Sequence, residues 1–298
     1  MSEHWSQYWE QGHLTSFGES FSLNYTGVLR SVWLDTFAML PNEFAVLDIA
    51  TGNGALPLLI QESHEGSDIK GSVTGIDLAD VKPLELSEGS LIKLKLQSRI
   101  DCCELPFNEA TFDLVTSQFG IEYAPLKSAI PEAIRVLKPG GKLQVVVHHH
   151  DSMIINRNRR ILKLISSEQI VDFFAILAKM IKSMGEVKSN VDLARVKQDK
   201  TAETNRLALN DLISVLVKED EEALKDSDVM SYVATLFKTG IFWPMTKKFE
   251  YLAFAEKEIS TLISRLSELV SASVSETELA KVFEIVAELG NLDEISVV

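Results

Sequence analysis

Two hydrophobic rhythms divide the chain. Up to about residue 150, short apolar runs at 44–50, 72–77, 95–101, 112–117 and 143–148 predict strands separated by helical patterns. Strands that alternate with helices imply βαβ units and a mainly parallel sheet covered by helices, an α/β fold. Ahead of them, Phe21, Tyr25, Val28, Leu29, Val32, Trp33 and Phe37 recur at helical spacing, which predicts a helix over 21–40 that stops before Pro41. Beyond about residue 155 the texture turns helical. Ile170, Phe173, Phe174, Leu177, Met180 and Ile181 form one stripe, and Ile259, Leu262, Ile263, Leu266 and Leu269 another. The polar stretch 188–206 between them reads as a loop or an exposed helix. At the end, 276–298 predicts a helix, a break at Gly290 and a strand over 294–298 that returns to the sheet.

No Pro/Gly/Ser linker separates the two textures, so the helices after the fifth strand read as a large insertion. The expected divisions are an N-terminal helical segment (1–42), the core (43–150), the insertion (151–275) and a returning helix and strand (276–298).

Charge narrows the partners. With 43 acidic against 29 basic residues the formal net charge is −14, a surface that repels a phosphate backbone. A small molecule or a neutral or basic partner is expected rather than nucleic acid. The only cysteines, Cys102 and Cys103, are adjacent and would close no useful loop, a pattern suited to a reducing compartment. The polar, aromatic start is no signal peptide, and the longest apolar run is far short of the ~20 residues that span a bilayer. A cytoplasmic protein without membrane insertion is expected; a homodimer is left open.

The most informative stretch is Val46-Leu47-Asp48-Ile49-Ala50-Thr51-Gly52-Asn53-Gly54. A buried strand ends in a glycine turn, and a helix follows with Pro57 in its first turn. Gly52 and Gly54 allow close backbone approach to a ligand. Such a turn also opens nicotinamide dinucleotide sites, but the third glycine of that pattern is replaced by Pro57. Asp48 would oppose a pyrophosphate and suit a cationic ligand. Asp77, after the second strand, could accept from ribose hydroxyls, and Asp101, placed at the end of the third, from an adenine amino group. Any one of these acids alone is more often a cap or turn former; together they would line one carboxyl edge of the sheet.

At this point the chain resembles the class I methyltransferases that use S-adenosyl-L-methionine (SAM), in the small-molecule branch that includes ubiquinone and menaquinone biosynthesis methyltransferases. The matching segments are VLDIATGNG (46–54), GIDLAD (75–80), DCCELPFNEATFDLVTSQFGIEY (101–123) and RVLKPGGKL (135–143). The resemblance implies a Rossmann-like sheet, SAM as cofactor and in-line methyl transfer to a small-molecule acceptor. It also implies residue roles. Asp48, Ala50, Gly52, Asn53 and Gly54 would surround the methionine part. Asp77 and Leu78 would hold the ribose, Asp101 and Cys102 the adenine, and Gln118 would face cofactor and substrate. Ala50 stands where the family has a first glycine, and the family's final hairpin of strands is reduced to one.

Three features fall outside that pattern. His148-His149-His150-Asp151 follows the fifth strand: His148 or His149 could be a general base, oriented by Asp151; the group could bind a metal; or it could be a hydrogen-bonded strand end. No metal ligand set is assigned. Trp5, Tyr8 and Trp9, with Tyr123, suggest a lid over the cleft or simple packing on the sheet. In the insertion, 240–244 and the basic run 156–160 read as an ordinary buried turn and a solvated face. Rival readings are a methyltransferase for a protein acceptor and a non-catalytic SAM-binding or scaffold protein, since fold does not determine function.

Overall fold

The computed structural model describes residues 3–17, 24–82 and 90–289. Contacts divide the chain into two compact units, one comprising residues up to His150 with those from Ser271, the other Asp151 to Val270.

The first unit is built on a five-stranded, all-parallel sheet in the order β3-β2-β1-β4-β5. Its strands are β1 (Phe44–Ile49), β2 (Gly71–Ile76), β3 (Ile92–Gln97), β4 (Phe112–Gln118) and β5 (Leu137–Val146). This is the parallel sheet that the strand–helix alternation predicts, in the Rossmann-like form that the family resemblance implies. Side chains alternate across the sheet, and β1 shows the consequence. Phe44 and Val46 join Trp33, Phe37, Leu59 and Ile60 in one core, under α2 (Gly27–Phe37) and α3 (Ala55–Ser63). Leu47 and Ile49 join Val115, Ile130 and Ala133 in the other, with α4 (Leu126–Arg135) and α11 (Glu276–Glu288). Because β1 is central and buried on both faces, its sequence is a near-continuous apolar run. The single acid in it, Asp48, is therefore conspicuous.

The chain winds from β1 toward β2 and β3, then returns to place β4 on the other side of β1. That reversal leaves a crevice beyond the carboxyl ends of β1 and β4, where open α/β sheets bind ligands.

The second unit is helical in its described residues: α5 (Met153–Ile165), α6 (Glu168–Met184), α7 (Asn190–Gln198), α8 (Lys200–Asp226), α9 (Val229–Ala234) and most of α10 (Met245–Ala272). Its core gathers the predicted stripes, with Ile170, Phe173, Phe174, Leu177 and Ile181 of α6 against Leu216, Leu252, Ile259 and Leu266.

Several boundaries differ from those predicted. Residues 188–206 are mostly helix rather than loop, split between α7 and α8 by Asp199, whose carboxylate caps α8 at Ala202 N–H, 2.8 Å. Strand β3 lies three residues earlier than the predicted 95–101, so Asp101 sits in the loop beyond it, exposed. Strand β5 starts at Leu137, and a register shift lets its Lys-Pro-Gly-Gly segment bulge before pairing resumes. It ends at Val146, so the histidines follow the strand. Helix α2 begins at Gly27; residues 18–23, where its predicted start falls, lie outside the described residues, as does the predicted strand 294–298. Among the described residues no helix is long and apolar enough to cross a membrane.

Candidate functional site

The crevice at the β1/β4 ends holds a cleft lined by Trp9, Tyr25, Asp48, Ala50, Gln118 and Phe119, with about 360 Å³ of empty space that merges with solvent. Its floor is made by backbone geometry. Ala50, Gly52 and Gly54 all adopt left-handed conformations, with φ of 55°, 54° and 85°. Glycine takes this conformation freely, whereas at Ala50 it costs energy that the surrounding packing must offset. Gly120 completes the turn from the other side, because a Cβ there would lie 2.4 Å from that of Ala50. The loop ends at the N-terminus of α3, where no side chain caps the first turn.

Asp48 is fully buried beneath this loop. Its carboxylate accepts from Thr51 Oγ1 at 2.6 Å and Thr116 Oγ1 at 2.8 Å, with no lysine or arginine among its partners. Burial pushes its carboxyl up to about 7, the two hydroxyls partly oppose this, and Asp77 raises it further. Asp77 is also buried and also raised by desolvation, against three backbone hydrogen bonds. Its oxygens accept from Gly52 N–H and Ala79 N–H, both at 2.8 Å, so it ties the end of β2 to the glycine loop. Two buried acids thus meet without a cation, a costly arrangement for ionised groups unless an external positive charge completes it.

Gln118 lies at the end of β4. Its Oε1 accepts from Trp33 Nε1, while its buried Nε2 has no hydrogen-bond partner. Tyr25 is buried, and desolvation raises its phenol.

The predicted lid residues cover the glycine loop. Trp9 of α1 (Glu3–Glu10) lies so close to Gly52 that a Cβ there would fall 2.6 Å from its ring. Asn53 holds this segment down, with Nδ2 donating to Trp9 O at 2.9 Å and His13 O at 2.8 Å, and Oδ1 accepting from Lys82 N–H. The aromatic group continues with Trp5 edge-on to Tyr123 (5.7 Å) and Tyr8 edge-on to Trp9 (5.0 Å). Asn53, then, turns toward the N-terminal segment rather than the open cleft.

The remaining sequence candidates separate. Leu78 is exposed. Asp101 accepts from Cys103 N–H at 2.8 Å and shares a cluster with Cys102 and Cys103. Burial pushes the Cys102 thiol up to about 12, away from the thiolate a metal would need.

The three histidines do not act as a group. His148 is buried, with Nδ1 2.9 Å from Glu122 Oε1; that oxygen also accepts its backbone N–H at 3.1 Å. Its ring lies 4.2 Å from that of Phe119. His149 is largely exposed, 3.3 Å from Glu276, and His150 bonds Ser273 at 3.1 Å. The acid that orients His148 is Glu122 rather than the adjacent Asp151. Sequence reading missed Glu122, Thr51, Thr116, Tyr25 and Phe119. Thr51 and Thr116 had a signal, as hydroxyls beside or opposite the odd acid in an apolar strand; Glu122 and His148 are 26 residues apart and had none.

Comparison with known proteins bears on this arrangement. Residues 47–145 match the family described as a methyltransferase domain. Demethylmenaquinone methyltransferase of Thermus thermophilus is 34% identical over 110 residues, 34% of this chain and 46% of that protein. Ubiquinone/menaquinone biosynthesis C-methyltransferase UbiE of Rhizobium leguminosarum is 36% identical over 130 residues, 40% and 48% of the two chains. The chain spans about half the length of the curated relatives it matches. Among solved structures, the YcgJ protein of Bacillus subtilis aligns over 46% of this chain and 58% of its own, with 20% identity and a TM-score of 0.34. A SAM-dependent methyltransferase of Aquifex aeolicus aligns over 41% and 65%, with 18% identity and a TM-score of 0.31.

Proposed function

We propose, from the premise that residues 47–145 match a methyltransferase domain, that the chain transfers a methyl group from SAM to a small-molecule acceptor. The observation that carries this reading is the pair of buried carboxylates, Asp48 and Asp77, with no cationic side chain against them. A ligand bearing an ammonium and a sulfonium supplies the missing positive charge, and a ligand bearing phosphates does not. The uncapped start of α3 leaves backbone amides for the ligand's carboxylate.

In this reading Asp48 and the loop 50–54 hold the methionine part, and Asp77 with Leu78 the ribose. Asp101 and Cys102 sit by the adenine. Gln118, with its free buried amide, offers a donor to the bound ligand. Trp9, Trp5 and Tyr8 form a cover that excludes water, with Asn53 as the clasp that seats it. SAM, when bound, supplies an electrophilic methyl group. The protein's task is then chiefly to align the acceptor, a contribution worth up to about 7–11 kcal/mol when two reactants are held in reacting geometry. The aromatic lining and the strongly acidic surface favour a small acceptor over nucleic acid.

Calorimetry with SAM and with S-adenosylhomocysteine tests the cofactor, and incubation of the protein with methyl-labelled SAM and a metabolite extract tests the transfer. Binding of both ligands with label appearing in a small product is expected. Binding of NAD in place of SAM would overturn the assignment, and binding without transfer would make the protein a SAM-binding scaffold.

A further inference from the structure

The pairing of Glu122 with His148 is not accounted for by cofactor binding or by core packing. Both side chains are buried, yet they are ionisable, and Glu122 Oε2 has no hydrogen-bond partner among the described residues. Glu122 sits in the 3₁₀ turn Ile121–Tyr123, directly after the Phe119-Gly120 corner where β4 leaves the sheet. Phe119 lines the cleft, stacks near the His148 ring and adopts φ 53°. Left-handed backbone at an aromatic residue is uncommon, and such strain concentrates at ligand-facing positions. The corner thus sets one buried imidazole directly behind Phe119, a residue of the cleft wall.

The contacts define the state of that imidazole. One carboxylate oxygen accepts from both the His148 backbone and its ring Nδ1. An acceptor at Nδ1 places the neutral ring's proton there and leaves the lone pair on Nε2. A carboxylate in that position also stabilises the imidazolium that forms if Nε2 takes up a proton.

We propose that His148 is the proton acceptor of the methyl-transfer reaction, with Glu122 as its positioning residue, and that the acceptor substrate is a hydroxyl compound. The inference rests on the methyltransferase reading above. The substrate class follows from which nucleophiles need a base. An amine attacks with its own lone pair, a thiol ionises readily near neutrality, and a ring carbon sheds its proton only after the new bond has formed, whereas a phenol or alcohol starts protonated, is poorly acidic and gains most from a base during the attack itself. In the step, the hydroxyl oxygen forms its bond to the methyl carbon as the carbon–sulfur bond breaks, with that electron pair going to sulfur. The hydroxyl proton passes to His148 Nε2. The products are an O-methyl ether, S-adenosylhomocysteine and an imidazolium that later returns its proton to solvent.

The test has one arm that needs no acceptor. In the full-length protein with ¹⁵N-labelled histidine, long-range ¹H–¹⁵N correlation reports each ring's tautomer, and a His148→Gln spectrum identifies the ring. His148 is expected with its proton on Nδ1, and Glu122→Ala, which removes the acceptor, is expected to shift that proton toward Nε2. A proton on Nε2 in the wild-type protein, or a tautomer that Glu122→Ala leaves unchanged, overturns the proposal. In the second arm, His148→Gln is expected to bind SAM as wild type does by calorimetry and to lose about 100-fold or more in labelled-methyl transfer to extract acceptors. Undiminished transfer, or label found on carbon or nitrogen instead of oxygen, sinks it. A wild-type protein that fails to bind SAM removes the parent reading instead, and the nuclear magnetic resonance result still stands or falls alone.

Discussion

The sheet unit and the helical unit treat charge in opposite ways. In the helical unit, several charged groups pair at or near the surface, as in Arg160 with Asp220 and Glu222, or Arg157 with Asp226. Its interior is the apolar stripe around Phe173 and Leu216. In the sheet unit, Asp48, Asp77, Glu122 and His148 are buried near one edge of the sheet, and the two aspartates have no cation beside them. A region selected for stability satisfies its own charges. A region that keeps buried carboxylates unneutralised is configured for something it must bind.

The largest break in that comparison is expected in the helical core. Phe173→Ala removes a fully buried ring and is expected to cost about 3–5 kcal/mol in urea denaturation, while leaving the cleft's chemistry intact. A loss below about 1 kcal/mol would mean that this core is not what holds the unit together. Next in size, Asp48→Asn is expected to weaken SAM binding by about 1.5–3 kcal/mol, roughly 10- to 150-fold, read by calorimetry; unchanged affinity would detach the buried acid from the ligand.

The same substitution sharpens the contrast through pH. Asp48 has its folded carboxyl raised to about 7 against an unfolded value near 4. The folded state therefore binds the extra proton, and the stability this contributes is complete below about pH 4 and is lost as pH rises toward 7. Without SAM, the wild-type protein is expected to lose stability across that window, and Asp48→Asn to lose less of it, with Asp77 still contributing in the same direction. Parallel curves for the two proteins would refute this.

Lys248 of α10 departs from that pattern. It is almost wholly buried, its Nζ has no hydrogen-bond partner, and desolvation lowers its amine. Lys248→Met is expected to raise the denaturation midpoint, by about 1 kcal/mol, as relief of an unsatisfied polar group should. The smallest effect is expected at Lys188→Ala, where the exposed pair with Glu186 should leave the melting temperature within error of wild type.

How much was legible in the sequence depended on how far apart the interacting residues lie. Asp48 and the turn 50–54 were readable because strand, acid and glycines are neighbours, and a charge inside a buried strand is visible as a break in its pattern. The helical stripes of α6 and α10 were readable for the same reason, since a 3.6-residue period is a local signal. Strand β3 was misplaced because its run of apolar and polar residues continues past Gln97 to Ile100, and only pairing with β2 selects Ile92–Gln97. Strand β5 was cut short because Pro139-Gly140-Gly141 reads as a turn, and only the register with β4 shows a bulge within one strand.

The sequence by itself determined the two rhythms of the chain, the parallel α/β plan and the place of the acid beneath the glycine loop. All of these follow from periodicity and from the conformations each residue tolerates. Tertiary structure alone decided that Glu122, and not Asp151, faces His148, and that Asn53 clasps Trp9. It also decided that the three adjacent histidines part toward three different partners. Such pairings depend on where the ends of β4 and β5 come to rest beside each other, a property of the assembled sheet that no stretch of neighbouring residues contains.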